Sequence, residues 1–205
     1  MKADEVKVIL KNLGFTSEDV EKLDLFINLL LKFNNKYNLI SKNTEKEVWS
    51  RHILDSAQLV KFIDFNKSDS LADLGSGAGF PGLILSIFNK NNKFHVKLYE
   101  KSKVKCYFLK DAIIRLNIKC FLYENDYQSH ILDSDYIVAR AFKKLPEVIR
   151  ISREIATKSH KLIVLKGKSA QEELNKLSKD LNYKYRLETS LTNKDSKVLI
   201  VNISK

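Results

Sequence analysis

Leu71-Ala72-Asp73-Leu74-Gly75-Ser76-Gly77-Ala78-Gly79-Phe80-Pro81-Gly82-Leu83 reads as the end of a strand, a glycine turn and the start of a helix. Ser70 to Leu74 is a short apolar run broken by one acid, the pattern of a buried parallel strand that carries a carboxylate to its C-terminal lip. Glycines alternating with small residues then remove Cβ atoms where a loop must bend and where a ligand can lie against bare backbone. Pro81 suits a first helical position, since the N–H it lacks would have no partner there. Gly77 to Gly82 also fits the dinucleotide spacing G-x-G-x-x-G, with Glu100 at about the distance, roughly 20 residues on, of a ribose-binding acid. Charge favours a different ligand: Asp73 at the lip would repel a pyrophosphate and attract a cation.

Outward from this turn, strand and helix alternate, which predicts a doubly wound parallel sheet. Strands are expected at Phe94 to Glu100, Lys119 to Tyr123, Tyr136 to Ala139 and Lys161 to Leu165, and helices after Ser102, from about Leu145 to Ala156 and from Ala170 to Leu181. Two last strands, near Tyr185 to Glu188 and Val198 to Ile203, are joined by a polar loop too short for a crossover helix and must pair antiparallel. Before the sheet, apolar residues at helical spacing predict three helices: Ala3 to Leu13 closed by Gly14, one opening near Thr16 or Ser17, and one carrying Trp49, Ile53, Leu54, Ala57, Val60 and Phe62. The expected division is a helical extension over residues 1–66 packed on a core domain over residues 67–205.

The chain has 36 Lys and Arg against 25 Asp and Glu, a formal net charge of +11 spread through its length, which suits a polyanion such as nucleic acid. Cys106 and Cys120 show no C-x-x-C spacing and the four histidines are scattered, so a reducing compartment and no metal site are expected. The charged N-terminus and the lack of a long apolar run imply a cytoplasmic protein without a membrane partner. A monomer is expected.

Asp73-x-Gly75-x-Gly77-x-Gly79 resembles the first motif of class I methyltransferases, whose ligand, S-adenosylmethionine, carries a sulfonium and an ammonium. An antiparallel hairpin closing a parallel sheet also resembles that class. Four stretches together resemble one family, the ribosomal RNA small-subunit methyltransferase G proteins. They are Phe33-Asn34 through Asn38-Leu39-Ile40 (with Phe33 for the usual tryptophan), Arg51-His52-Ile53-Leu54-Asp55-Ser56, the glycine stretch, and Arg140-Ala141-Phe142 followed by Lys166-Gly167.

That resemblance implies cofactor contacts at Gly75 and Phe80, at Asn125 and Asp126 after the third strand, and at Arg140 after the fourth. Asp73, Gly77 and Glu100 complete the expected binding set. Gly75 would let backbone approach the methionine part, Phe80 would form an apolar wall, and Glu100 could accept both ribose hydroxyls. Asp126 could accept from the adenine amino group while the Asn125 backbone donates to the ring. The family commonly shows R-x-E where this chain has Glu124-Asn125-Asp126, so any ion pair made by that arginine is lost. Arg140 could clamp either the cofactor carboxylate or an RNA phosphate. His52 and Asp55, three residues apart on one helix face, could bond each other, as a lid over the substrate mouth or as a polar anchor to the core. Lys101, Lys103, Lys105, Lys110, Lys143, Lys144, Lys166 and Lys168 should supply several charges on the cofactor side of the sheet.

The implied reaction is methyl transfer to N7 of one guanine in 16S ribosomal RNA. N7 carries a free lone pair, so no general base and no catalytic side chain is expected. A small-molecule methyltransferase, a nicotinamide-dependent oxidoreductase and a non-catalytic RNA-binding protein on a vestigial fold are the alternatives.

Overall fold

The structure, a computed structural model, describes residues 1–125, 127–175 and 184–205. Among the described residues seven strands form one sheet: β1 (Ser70–Leu74), β2 (His95–Glu100), β3 (Phe121–Glu124), β4 (Tyr136–Arg140), β5 (His160–Lys166), β6 (Tyr185–Thr189) and β7 (Lys197–Ile203). Their order is β3-β2-β1-β4-β5-β7-β6. The first five run parallel, and β7 lies antiparallel between β5 and β6, as the short connection required. The strand order reverses between β1 and β4, so the crevice at their C-terminal ends is where a sheet of this kind binds its ligand.

Eight helices surround the sheet in the described residues. They are α1 (Ala3–Asn12), α2 (Ser17–Tyr37), α3 (Lys42–Glu45), α4 (Asp55–Ala57), α5 (Gly82–Phe88), α6 (Lys103–Leu116), α7 (Leu145–Ile155) and α8 (Ala170–Asn175). The end of the helix expected to reach Leu181 lies outside the described residues. Helix α2 begins with a reciprocal cap: Thr16 Oγ1 accepts from Asp19 N at 3.2 Å, and Thr16 N donates to Asp19 Oδ2 at 2.9 Å. Helix α5 starts at Gly82 with Pro81 as its cap, one position later than expected. The polar loop before Trp49 contains α3, and the third expected helix is irregular, π-helical over Trp49–Leu54 and 3-10 over Gln58–Phe62 on either side of α4.

The strands alternate their side chains between two apolar layers. Leu71, Leu98, Val138 and Ile163 face one layer with α2, α5 and α6. Ala72, Leu74, Ile137, Ala139 and Val164 face the other, with α7. The N-terminal helices share the first layer: Phe26 of α2 packs its ring 5.5 Å from Phe80 and 6.0 Å from Phe108, and all three are buried. Burial of each such ring stabilises the fold by about 1.5–3 kcal/mol.

Candidate cofactor and substrate site

Alternation along β1 decides where Asp73 goes. It falls on the same face as Leu71, under the start of α5, and not at an open lip. Its carboxylate is fully buried, Oδ2 accepts from Gly82 N at 2.9 Å, and Oδ1 has no partner. Burial pushes its pKa up to about 7. Gly82 makes this approach possible, because a Cβ there would stand 2.6 Å from Asp73 Oδ2 and would also collide with Leu98.

Gly75 opens the turn with φ +69°, and a Cβ on it would lie 2.6 Å from the ring of Phe142. Two hydrogen bonds fix the turn against β2, from Gly75 N and Ser76 N to Tyr99 O, at 2.9 and 3.1 Å. Glu100 ends β2 and is nearly buried; its oxygens accept from Gly77 N and Ser102 N, each at 2.8 Å. A carboxylate offers about four acceptor positions, so acceptor capacity remains.

Beside this turn lies a cavity of about 410 Å³, lined by Gly75, Tyr99, Glu100, Asn125, Tyr127 and Phe142 among others. Lys101, Lys105 and Lys143 stand on its wall, as expected for a basic rim. A second cavity of about 330 Å³ adjoins it through Ala141, which lines both. Arg51, Asp55, Arg140, Lys166, Lys168 and Asn193 line this second space. Larger cavities of about 690 and 720 Å³ lie at the opposite edge of the sheet, where the strands begin, and the glycine turn contributes to neither. Position, not size, selects the adjoining pair.

The expected residues therefore divide. Gly75, Glu100 and Asn125 line the first cavity, and Arg140 lines the second. Asp73, Gly77 and Phe80 lie behind the turn and wall neither cavity. Gly77 meets the site through its N–H on Glu100. Phe80 is not an open wall: it is packed between Phe26 and His52, with the Arg140 guanidinium 5.5 Å from its ring centre. Asp126 lies outside the described residues. Glu124 pairs with Lys110.

His52 and Asp55 do not bond each other; both turn to Arg140. Arg140 Nη2 donates to His52 Nδ1 and to Arg51 O, each at 2.9 Å, and its Nε lies 3.5 Å from Asp55 Oδ2. Since Nδ1 accepts, His52 carries its proton on Nε2 and donates to Thr44 Oγ1 at 2.9 Å. Burial and the charge of Arg140 pull the His52 pKa down to about 3. Arg140 Nη1 is buried without a partner.

Sequence reasoning gave no role to Phe142, Tyr99 or Tyr127. Phe142 belongs to the quoted Arg140-Ala141-Phe142, and the positive φ of Ala141, +49°, accompanies the divergence of the two neighbours: Phe142 lies over Gly75 while Arg140 meets His52. Gln58, Ser190 and Thr192, which brace Asp55, carried no signal, because separate elements bring them together.

The residues of the first cavity fit S-adenosylmethionine. A cavity of this volume is in the range, about 300–1,000 Å³, of small-molecule sites. Bare backbone at Gly75 and spare acceptor capacity at Glu100, both on the cavity wall, match a nucleoside that presents ribose hydroxyls.

A family model described as "GidB: rRNA small subunit methyltransferase G" matches residues 19–200. The chain is 38% identical over 203 residues to the ribosomal RNA small subunit methyltransferase G of Pelagibacter ubique, covering 96% of this chain and 93% of that protein. It is 37% identical to the protein of the same name from Rickettsia typhi over 186 residues, 91% of this chain and 95% of the other. Among solved structures, a methyltransferase from Pyrococcus furiosus superposes with a TM-score of 0.59 at 12% identity, over 75% of this chain and 83% of its own. A SAM-dependent methyltransferase from Aquifex aeolicus gives 0.58 at 13%, over 75% and 91%. At those identities the structures establish the fold, an α/β class I methyltransferase sheet preceded here by N-terminal helices. The chain belongs to the rRNA small subunit methyltransferase G family.

Proposed function

We propose that this protein methylates N7 of one guanine in the 16S RNA of the small ribosomal subunit, using S-adenosylmethionine. The observation that carries the reading is the pair of cavities meeting at Ala141: one with the glycine turn and Glu100, the other ringed by Arg51, Arg140, Lys166 and Lys168. Family membership supplies the substrate class.

Bound S-adenosylmethionine supplies a methyl group already activated on a sulfonium. The chain's own part is positioning. Gly75 would admit the methionine part against backbone, and Glu100 would accept the ribose hydroxyls. Asn125, on the wall of the first cavity, would meet the adenine. Guanine N7 is a lone-pair acceptor, so the nucleophile needs no proton removed before attack. Rate enhancement then comes chiefly from holding N7 in line at near-attack distance in a site closed to water.

On the acceptor side, Arg140 has its buried Nη1 amino group still to satisfy, and a guanidinium fork suits guanine O6 or a phosphate. A-form helices hide N7 in a deep, narrow groove, so the target base must lie in a loop or be opened. Such a substrate implies a cytoplasmic enzyme. The test is transfer of labelled methyl to unmodified small subunits, followed by digestion to nucleosides. Label in 7-methylguanosine supports the reading, and label in another base or only in small molecules refutes it.

A further inference from the structure

The ends of α2 and α6 meet at the surface in an aromatic group outside both cavities. Phe33 is partly buried, with its ring 6.1 Å from Tyr37 on one side and 6.0 Å from Tyr107 on the other. The two tyrosines are 48% and 65% exposed, and Val104 beside Tyr107 is 42% exposed. Such rings are usually turned into a core; here they stand in water.

Their setting is cationic. From Leu25 to Thr44 the charged residues are Lys32, Lys36 and Lys42, and from Lys101 to Leu109 they are Lys101, Lys103 and Lys105, with no carboxylate in either stretch, while Lys110 pairs with Glu124. Lys32, Lys36 and Lys103 are exposed and make no ion pair among the described residues. Helix α6 joins this patch to the proposed active site, since its Lys105 lines the first cavity while its Val104 and Tyr107 face outward.

We propose that Tyr37 and Tyr107, with Lys36 and Lys103 beside them, form a stacking platform for unpaired bases of the RNA substrate flanking the target guanine. The proposal rests on the reading of RNA as substrate. Flat rings bind bases through their π faces, and lysines without internal counter-charges neutralise the backbone between them. A protein partner would match an apolar patch with fewer uncompensated cations. An open platform beside the catalytic cavity would keep a single-stranded segment from restacking while its guanine is held.

The test compares wild-type protein with Tyr37→Ala/Tyr107→Ala and Tyr37→Phe/Tyr107→Phe. Fluorescein-labelled single-stranded oligoadenylate binding is measured by anisotropy, and KM is measured for unmodified small subunits. The platform predicts at least about a ten-fold weaker oligonucleotide affinity and a raised KM in the alanine pair, near-normal values in the phenylalanine pair, and unchanged S-adenosylmethionine affinity in both. Equal oligonucleotide affinity in wild type and alanine pair overturns it. A KM raised on assembled subunits with oligonucleotide binding unaffected also overturns it, and assigns the patch to a protein partner. Should wild-type protein bind oligonucleotide through these rings yet methylate no RNA, the platform stands and the proposed reaction falls. Should it methylate RNA with the alanine pair unaffected, only the platform falls.

Discussion

Asp55 Oδ2 lies 3.5 Å from Arg140 Nε while Asp55 Oδ1 accepts from Gln58 Nε2, Ser190 Oγ and Thr192 Oγ1 at 3.1, 3.3 and 3.2 Å. One carboxylate thus ties α4, the end of β4 and the loop between β6 and β7 at the wall of the second cavity. Removing it leaves Arg140 charged and poorly matched, and the Ser190–Thr192 hydroxyl pair without its carboxylate acceptor, while Gln58 Nε2 keeps Asp55 O and Ser190 Oγ. Asp55→Ala is expected to lower stability by about 1–3 kcal/mol and Asp55→Asn by less, since the amide oxygen keeps part of the acceptor role. Urea unfolding measures both, and equal midpoints for the alanine variant and wild type would remove Asp55 from this role.

Asp73 and His52 bias stability in opposite directions with pH. Asp73, with its pKa raised to about 7 on folding, holds a proton that the unfolded chain has released, so its effect is to make stability fall as pH rises from about 4 to 7. His52, lowered to about 3, stays neutral where the unfolded imidazole is protonated, so its effect is to make stability rise with pH between about 3 and 6.5. The slopes oppose each other across the shared window, each up to about 1.4 kcal/mol per pH unit.

Asp73→Asn keeps an acceptor for Gly82 N–H and removes the ionisation. Relative to wild type it should gain stability steadily as pH rises from about 4 to 7. His52→Gln should show the reverse trend relative to wild type as pH rises from about 3 to 6.5. Thermal melts over that pH range check both, and variant curves parallel to wild type would contradict these assignments.

Gly75→Ala meets two penalties, a φ of +69° and Phe142 Cδ2 at 2.6 Å from the new Cβ. The expected loss is about 1–3 kcal/mol, together with weaker S-adenosylmethionine binding. In Gly75→Ala/Phe142→Ala the collision is gone and the backbone strain remains, so a double-mutant cycle should return a favourable coupling of at least about 0.5 kcal/mol. Strict additivity would mean that Phe142 does not press on the turn.

The glycine stretch exposed the strand, the turn and the site together, because the turn itself demands positive φ at Gly75, Gly77 and Gly79, although the side chains that crowd Gly75 and Gly82, Phe142 and Leu98, come from elsewhere in the chain. The parallel strands were legible from apolar runs, and the closing hairpin from a loop too short to cross over. Local pattern was silent on how far Asp73 would sink beneath α5, since that depends on which face of β1 the N-terminal helices cover. The bond expected between His52 and Asp55 rested on regular helical spacing, whereas the π-helical turn at Trp49–Leu54 and the approach of Arg140 send both side chains to a third partner. Phe80 reads as an apolar wall in isolation, and only Phe26, from a distant helix, shows that it is core. The adjoining cavities were not legible at all, because β4, β5 and the β6–β7 loop build the second one together.

The most direct test of the account couples the reaction to the pocket. Labelled methyl from S-adenosylmethionine is offered to small subunits lacking the modification, in the presence of wild-type protein or of Gly75→Trp, and the labelled RNA is mapped to the nucleotide. Wild type is expected to give 7-methylguanosine at one position and Gly75→Trp none, since the indole would fill the space beside Phe142. Undiminished transfer by Gly75→Trp would contradict the placement of the site, and cofactor binding without any RNA label would contradict the proposed reaction.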